Sequence, residues 1–496
     1  EVNLEVLYER SERMRIARNI AQKQKFFHWE LEFADIFDER GGFDLILGNP
    51  PWIKLQWQEG GILGDSEPLF QLRDYSANKL TKLREATFEK YPTLKGEYFA
   101  EYESLDGMKH FINATQNYKL LKGVQSNLFK CFLPQSWQFA NSNGVQGFLH
   151  PEGVYDDSKG GVLRAAIYKR LRYHFQFANH LILFKGVDHH TKFSVNIFSK
   201  KKNKVDFLNM SNVFLPKVID DSFEGENSKE MEGIKDKNGK WSKVGHPKRI
   251  LNITEKTLSI FSKLFESEDA DPLQTKLPSV HSQQVVSVLE KFGDYPNRLR
   301  DLGDDYFSTQ FWNETTSEKD GTIKRETRFP KNADELILSG PHFYVGTPLF
   351  QTPKEICKTN RAYHVIDLTT LPDDYLPRTN YVPACSDVEY QKRIPRVSWL
   401  EEGENEKWKV TEYYRVVFPG MLSISGERSL QSALIAKKTA HINAIRSYVI
   451  SNKNTKILII FNALCNSINF DFILKVSGRQ NLHRTLNDFP LIKNTK

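Results

Sequence analysis

Residues 49–52, with the sequence Asn-Pro-Pro-Trp, have the groups needed to act on a planar amine. An exocyclic amine on an aromatic base is a poor nucleophile because its lone pair is delocalised into the ring. The side-chain oxygen of Asn49 and the carbonyl oxygen of Pro50 can accept hydrogen bonds from both N–H groups, which frees the lone pair to attack a methyl sulfonium. Pro50 and Pro51 hold the backbone and remove competing donors. Trp52 offers a flat face on which an extruded base can stack.

The elements around this segment predict an α/β fold. The apolar run Phe43–Gly48 predicts a strand buried on both faces of a parallel sheet, and ligand-binding loops follow the carboxyl ends of such strands. Further strands are predicted at residues 26–33, 145–149, 180–184 and 193–198, and helices at 4–24, 75–122 and 162–173. Strands that alternate with helices indicate a largely parallel sheet. The dipeptide Asn238-Gly239 predicts a hairpin turn.

Length and composition limit the class of protein. A chain of 496 residues should hold two or three domains. No run of 18 or more apolar residues occurs, so no transmembrane helix is predicted. The four cysteines form no CxxC pair, which argues against zinc and for a reducing, cytoplasmic setting. No metal is predicted at the adjacent His189 and His190, because neighbouring residues of a strand point to opposite sides.

The net charge of +7 is concentrated in two windows. Residues 161–204 contain ten Lys or Arg and one acid, and residues 428–496 contain eleven Lys or Arg and two acids. The remainder of the chain is therefore net acidic. Two basic regions on an otherwise acidic chain predict a polyanionic partner. Two solvated basic faces would give the same pattern.

Residues 33–37 and 42–52 together resemble amino-methyltransferases of the gamma type. They resemble more closely the large methyltransferases of type IIG restriction-modification and of phage-defence systems such as DISARM and BREX. The resemblance implies a Rossmann-like S-adenosylmethionine methyltransferase sheet, with residues 49–52 as the catalytic segment. It implies that Asp35 and Asn49 contact the cofactor S-adenosylmethionine. A loop carboxylate or a helix cap is the alternative for Asp35.

Three further segments resemble the same family in the same order. Residues 126–129 resemble the segment that lines the cofactor pocket, and residues 144–151 resemble the next strand and its turn. Residues 189–193 resemble the segment whose aromatic residue packs on the flipped base, which implies stacking by Phe193 and DNA contact by Lys192. A core phenylalanine is the alternative for Phe193. The family's Gly-rich cofactor loop and ribose-binding acid are not found, and an upstream portion would supply them.

The C-terminal region resembles the target-recognition domains of these methyltransferases. The segments that carry the resemblance are residues 339–343, 367–369, 376–381, 427–430, 466–467 and 481–483. It implies a mixed α/β target-recognition domain at 336–496, after a methyltransferase domain at 1–205 and a polar connecting region at 206–335. Arg378 and Arg428 would contact DNA, since arginine can bind base edges in a bidentate manner. Structural, ion-paired arginines are the alternative.

The resemblance implies a site-specific DNA adenine (N6) methyltransferase that flips an adenine out of double-stranded DNA. It also implies a bacterial cytoplasmic enzyme, associated with the nucleoid when it acts, with other defence-system subunits as candidate partners and no membrane. Two alternatives stay open. The same catalytic segment could methylate RNA or a protein glutamine, or the chain could be a non-catalytic DNA-binding specificity subunit.

Overall fold

The computed structural model of the protein describes residues 3–73, 75, 77–124, 127–226, 230–266, 269–359, 361–422, 426–452, 455–478, 481–482 and 485–492. Some residues of the sequence analysis lie outside these ranges, namely Ser126, His483, Lys453, Arg479, Arg484, Lys493 and Lys496. The chain forms two compact units, Glu1–Lys256 and Thr257–Lys496.

Among its described residues, the first unit contains six strands and the helices around residues 49–52. In chain order its elements are α1 (Leu4–Arg10), α2 (Glu12–Gln24), α3 (Trp29–Glu32), α4 (Ala34–Arg40), β1 (Phe43–Gly48), α5 (Glu59–Gly64), α6 (Leu69–Leu72), α7 (Ala77–Lys90), α8 (Pro92–Asn113), α9 (Leu128–Phe139), β2 (Ala140–Pro151), α10 (Gly153–Asp156), α11 (Gly161–Tyr168), β3 (Leu171–Ala178), β4 (Lys192–Phe198), β5 (Asp206–Val213), α12 (Lys217–Glu224) and β6 (Leu251–Thr254).

These six strands form one mixed sheet in the order β1-β2-β4-β3-β5-β6. The β1–β2 and β3–β5 pairs are parallel, and the β2–β4, β4–β3 and β5–β6 pairs are antiparallel. Strands β1, β2, β3 and β5 therefore end at one edge of the sheet, the carboxyl edge, where β4 and β6 begin. The predicted α/β class is confirmed, but the prediction of a largely parallel sheet was wrong. Strand β4 reverses direction because residues 179–191 return the chain directly alongside β3.

Strand β1 forms at the predicted residues but is not buried on both faces. Leu45 is 57% exposed and Leu47 is 69% exposed. The side chains of a strand point to the two faces of the sheet, and the described residues leave Leu45 and Leu47 largely uncovered on their face. An apolar run predicts a strand from composition, and composition does not report which elements cover its faces.

Two other predicted strands were wrong. Residues 26–33 contain α3 instead, and the rings of Trp29 and Phe33 stack at 5.7 Å, a contact that the i, i+4 spacing of a helical turn produces. Residues 180–184 follow β3, which begins inside the predicted 162–173 helix. Residues 172–177 alternate between polar and aromatic residues, a strand pattern that was missed, and the structure buries the polar His174 and Gln176 as well. The strands predicted at 145–149 and 193–198 are confirmed within β2 and β4.

The sheet of the first unit continues past residue 205, where the sequence predicts a boundary. Strand β5 pairs with β3, and β6 pairs with β5. The Lys-rich residues 199–205 look like a linker but form the short connection from β4 to β5. The predicted turn at Asn238-Gly239 is confirmed, since Gly239 has a φ of 75° and its N–H donates to the carbonyl of Asp236 at 3.0 Å.

The second unit combines a four-stranded antiparallel sheet with smaller strand pairs and two apolar clusters. Its elements, with the helix that enters it, are α13 (Glu255–Phe265), α14 (Gln283–Gly293), β7 (Tyr306–Thr309), α15 (Glu314–Lys319), β8 (Ile323–Arg328), β9 (Ile337–Leu338), β10 (Gln351–Pro353), β11 (Tyr363–Val365), β12 (Thr379–Pro383), α16 (Asp387–Arg393), β13 (Arg415–Pro419), β14 (Ala433–Ile435), β15 (Ala440–His441), β16 (Ile445–Ile450), α17 (Thr455–Cys465) and α18 (Ile468–Ser477). The larger sheet has the order β14-β13-β16-β7, and β8 pairs with β12. Strands before and after residue 336 therefore share sheets, and Trp312, Tyr390 and Val410 share one core.

Within the described ranges, no single helix is long and apolar enough to cross a membrane. Helices α17 and α18, which meet at a bend of 66°, reach the length and hydropathy of a membrane span only when they are taken together.

Candidate active site

Residues 49–52, the predicted catalytic segment, begin where β1 ends, at the carboxyl edge of the first sheet. A Cβ atom at Gly48 would lie 3.3 Å from the Phe148 ring, so glycine lets β1 run close to β2. Pro50 is buried, and Asn49 is exposed. Beyond Trp52, the carbonyl of Ile53 accepts a hydrogen bond from the N–H of Leu128 at 3.0 Å. The segment is therefore fixed between β1 and the start of α9.

The side chains of Asn49 and Trp52 are hydrogen-bonded to each other. The indole Nε1 of Trp52 donates to Oδ1 of Asn49 at 2.9 Å. This bond fixes the orientation of the amide, because only its oxygen can accept from the indole. An amide oxygen has two lone pairs, so Oδ1 can accept one more hydrogen bond. The arrangement presents an oriented acceptor on an exposed residue.

The ring of Trp52 also packs on an aromatic cluster at the same edge. Its centroid lies 6.0 Å from that of Phe193 and 5.9 Å from that of Phe184. Phe193 is only 2% exposed, and Phe177 stacks on it at 5.3 Å. These contacts favour the core alternative for Phe193. Its stacking on a base would need the cluster to open, and that role stays a prediction.

A cavity of about 450 Å³ lies beside the segment and is walled by β1 and α9. Its lining includes Asn49 and Pro50, with aromatic side chains such as Trp29 and Phe139. Asn49, Gln135 and Ser136 are the polar side chains in the described lining, and none in it is charged. The lining therefore fits the planar, apolar part of S-adenosylmethionine but not its zwitterionic end. Asp35 lies in the first turn of α4 and is exposed, outside this lining.

A buried polar network lies under the same edge of the sheet, and sequence reasoning missed it. Nε2 of His174 lies 3.0 Å from Oε1 of Glu152, and Gln176 donates to the other carboxylate oxygen at 2.8 Å. Burial alone would raise the pKa of Glu152, but the charge and hydrogen bond of His174, with Gln176 and Ser194, lower it to about 2. The carboxylate therefore stays ionised inside the unit.

His150 is a second buried group of this region. It stacks on Phe129 at 5.1 Å, and Nδ1 lies 2.9 Å from the carbonyl oxygen of Pro151. Burial lowers its pKa to about 4, with smaller effects from Pro151, Glu152 and His174. The imidazole is therefore neutral at pH 7. For His174 and Gln176, the signal was the alternation of aromatic and polar residues along β3, which places the polar side chains on one face.

The residues predicted to contact DNA have protein partners in the structure. Lys192 begins β4, and burial lowers its pKa while Glu152 and Asp156 oppose the shift. The guanidinium of Arg378 lies 3.3 Å from a carboxylate oxygen of Glu355 and packs over Phe329. Their DNA contacts stay predictions.

Arg428 has a similar environment. Its Nη2 donates to the carbonyls of Asn466 and Ser467 at 3.0 and 3.2 Å, and Nε lies 3.7 Å from the Asp471 carboxylate. The carboxylate of Asp471 also accepts from the N–H groups of Ser429 and Leu430. These contacts favour the structural alternative for Arg428, and its role at DNA stays a prediction.

The basic window at 161–204 divides between the two edges of the sheet. Lys185 and Lys192 lie at or beside the carboxyl edge, in the connection that ends at β4. Lys200 and Lys201 follow the end of β4 and are exposed at the opposite edge. The window is therefore not one basic face. In the part of the chain that the structure describes, no group of three His, Cys, Asp or Glu side chains is placed to hold a metal.

A family model matches the part of the chain that carries the catalytic segment. Residues 2–91 match the model described as Eco57I restriction-modification methylase. This segment is similar to restriction-modification methylases. The matched range contains α1 to α4, β1 and residues 49–52, and therefore the oriented Asn49. Among curated proteins, none matches the chain.

Solved structures give weaker likenesses. The type IIG restriction endonuclease BpuSI is 12% identical, with 77% of this chain and 44% of that chain covered and a TM-score of 0.28. The type IIL restriction-modification enzyme MmeI in complex with DNA is 12% identical, with 91% and 47% covered and a TM-score of 0.33. The ATP-dependent type ISP enzyme LlaBIII bound to DNA is 11% identical, with 92% and 28% covered and a TM-score of 0.27. The chain spans less than half the length of these structures, and TM-scores this low carry no argument about activity.

Proposed function

We propose that the protein is a site-specific DNA adenine (N6) methyltransferase of a restriction-modification or phage-defence system. The observation that carries the proposal is the oriented, exposed Asn49 at the carboxyl edge of the sheet. It lies in the segment that matches the restriction-modification methylase model. Neither a planar-amine site nor the family match alone would select this activity, but together they favour transfer to an exocyclic amine of DNA.

The chain's own residues would activate the amine of a flipped adenine. Oδ1 of Asn49 and the carbonyl oxygen of Pro50 accept hydrogen bonds from the two N–H groups of the adenine amine. These hydrogen bonds draw the amine nitrogen toward tetrahedral geometry. The methyl group would come from S-adenosylmethionine, whose methyl–sulfur bond would break to leave the neutral thioether S-adenosylhomocysteine, and the methylated amine would lose one N–H proton to solvent. Such acceptors act mainly as the nitrogen gains positive character, so their contribution is to the transition state rather than to binding. No covalent enzyme intermediate is needed.

The role of Trp52 follows from its two contacts. Its indole N–H orients Asn49, and its ring rests on the Phe184–Phe193 cluster. Trp52 is half-buried, so part of the indole remains available to a base that enters the site. Extrusion of a base costs a few kcal/mol, which stacking and hydrogen bonds in the site must offset.

The second unit is the proposed reader of the DNA sequence. Its loops carry the segments that resemble target-recognition domains, and the 428–496 window gives it basic residues for phosphates. The uncharged cavity lining favours one alternative, a DNA-binding specificity subunit that does not itself bind cofactor.

A comparison of substrates tests the proposal. The full chain would be incubated with methyl-labelled S-adenosylmethionine and with duplex DNA, single-stranded RNA or a glutamine-containing peptide. Label should enter duplex DNA alone and be recovered as N6-methyladenine. Transfer to RNA or peptide would overturn the proposal. DNA binding without transfer, in the presence of saturating cofactor, would favour the specificity subunit.

A further inference from the structure

A hairpin at residues 235–241 lies at the same sheet edge as the catalytic segment and has no part in the proposed chemistry. It belongs to the connection between β5, which ends at the carboxyl edge, and β6, which begins there. Lys235 and Trp241 form a bridge across it, and the N–H of Asp236 donates to the carbonyl of Lys240 at 2.8 Å. The N–H of Ser242 also donates to the carbonyl of Ile234 at 3.0 Å. The hairpin is therefore an ordered element.

The hairpin rests on the loop formed by residues 179–191, which follows β3 at that edge. Asn179 is fully buried and ties this loop together. Its amide nitrogen donates to the carbonyls of Phe184 and Val187, and its oxygen accepts from the N–H of Phe184. Phe184 is also the residue on which Trp52 packs, at 5.9 Å. The 179–191 loop therefore contacts both elements, since His180 packs on the hairpin and Phe184 packs on Trp52.

Trp241 attaches the hairpin to this loop. The rings of Trp241 and His180 stack at 4.3 Å with an angle of 3° between their planes. Phe214, just after β5, packs on Trp241 at 4.9 Å. Two ring contacts from different elements hold one indole, so the position of the hairpin relative to the edge is fixed by packing.

The tip of the hairpin is cationic and open to solvent. Lys237, Asn238 and Lys240 are exposed. The Oδ1 atom of Asp236 accepts from the N–H groups of Asn238 and Lys240 at 2.9 and 2.8 Å, so this carboxylate is held by the turn's backbone rather than by the lysines. Lys235 lies over the Trp241 ring at 4.9 Å.

Charged groups of both signs lie around the base of the hairpin, since Lys192 and Lys235 lie near His180 while the Glu232 carboxylate accepts from the Ser242 hydroxyl at 2.7 Å. The pKa of His180 is lowered by burial and further by His190, His189, Lys192 and Lys235. Asp188, in the 179–191 loop, has a carboxylate oxygen 3.9 Å from Nδ1 of His189. A cationic tip, an aromatic attachment and a position at the same edge of the sheet as Asn49, four strands away from β1, describe a surface that fits the phosphate backbone of a DNA duplex.

We propose that the 235–241 hairpin binds the phosphate backbone of a DNA duplex that lies along the carboxyl edge of the sheet, several nucleotides from the base that enters the Asn49 site. Lys237 and Lys240 contact phosphates, and Trp241 holds the hairpin in place. The inference rests on the proposed function, because it assumes that DNA reaches the carboxyl edge. It adds a DNA contact in the first unit that does not depend on residues of the second unit.

The test is the salt dependence of duplex DNA binding by the full chain. Each phosphate contact contributes about 0.9 to the slope of log affinity against log salt, so Lys237→Ala/Lys240→Ala should make the slope shallower by about 1.8. Between about 50 and 200 mM salt, the wild-type affinity should fall on the order of tenfold more than that of the variant. The matched control is Lys200→Ala/Lys201→Ala, which removes the same charge from the opposite edge.

A second pair of variants tests the attachment. Trp241→Ala should reproduce the shallower slope although it removes no charge, whereas Trp241→Phe, which keeps a ring on His180, should restore it. Wild-type slope in the Lys237/Lys240 variant, or an equal loss in the Lys200/Lys201 control, would overturn the hairpin contact. Wild-type protein whose weak DNA binding does not change with salt would instead overturn the proposed function.

Discussion

At the residue scale, the proposed activation of the amine depends on the orientation of the Asn49 amide. Asn49 is exposed, and its oxygen is directed by the indole N–H of Trp52 at 2.9 Å. A hydrogen bond of this kind contributes about 0.5–1.5 kcal/mol. Its value here is positional, because an amide that rotates freely presents its nitrogen to the substrate amine about as often as its oxygen.

Trp52→Phe separates this hydrogen bond from the packing of the ring. Phenylalanine keeps an aromatic group on Phe184 and Phe193 but has no donor for Asn49. The rate of DNA methylation should fall about two- to tenfold, while the melting temperature stays close to that of the wild type. Methylation rates at saturating DNA and cofactor provide the measurement. An unchanged rate would show that the indole N–H does not position Asn49.

The sequence alone could place Asn49 but could not define its surroundings. An Asn-Pro-Pro segment after an apolar strand indicates its position at a sheet edge, which the structure has. The surroundings of Phe193 could not be predicted, because the local sequence around an aromatic residue at the start of a strand is the same whether the ring packs in a core or against a ligand. Its 2% exposure is visible only once Trp52, Phe177 and Phe184 are placed around it.

At the scale of elements, β3 is the strand that was not predicted, because part of it was assigned to the helix at 162–173. Its polar residues His174 and Gln176 are buried because Glu152, from the end of β2, satisfies both. Burial of polar side chains is tolerated only when partners are supplied, and the partners come from elsewhere in the chain. A local pattern therefore could not reveal them. The run at Phe43–Gly48 was identified because its apolar character is local.

The buried His150 predicts loss of stability in acid. Its folded pKa of about 4 lies below its ordinary value of 6.5, so protonation favours the unfolded chain. Stability should fall as pH decreases from 6.5 to 4, by on the order of 3 kcal/mol. The lowered pKa of Glu152 adds a separate loss between its ordinary 4.5 and about 2.

His150→Asn tests this effect, since the amide nitrogen of asparagine can replace Nδ1 at the carbonyl of Pro151. The melting temperature of the variant should change less between pH 6.5 and 4 than that of the wild type. The control is His28→Asn, because His28 is exposed and its replacement should leave the profile unchanged. The same pH dependence in the wild type and His150→Asn would contradict the assignment.

At the scale of the whole molecule, the units are divided at residue 256 rather than by the sequence boundaries at 205 and 335. Strand β7 pairs with β16, and β8 pairs with β12, so a chain that ends at 335 loses the partners of both strands. Pairing between residues more than 50 positions apart leaves no local signal. This explains why the connecting region could not be assigned from sequence.

Two truncations follow from this division. The fragment 1–256 should resist limited proteolysis as one folded species, because each of the strands β1 to β6 keeps its pairing partner within that fragment. The fragment 1–335 should be trimmed by protease toward residue 256, because β7 and β8 lack their partners. Mass spectrometry of the products gives the measurement. A protease-resistant 1–335 fragment would contradict the proposed organisation.

The central claim, that Asn49 activates an exocyclic amine of DNA, is tested most directly by Asn49→Ala beside Asn143→Ala. Asn143 is exposed near the opposite end of β2, so its replacement serves as the matched control. N6-methyladenine formed in duplex DNA would be measured together with DNA affinity. We expect Asn49→Ala to lower the rate on the order of 100-fold or more with nearly unchanged DNA affinity, and Asn143→Ala to match the wild type. An Asn49→Ala variant that retains more than about a tenth of the wild-type rate would contradict the account.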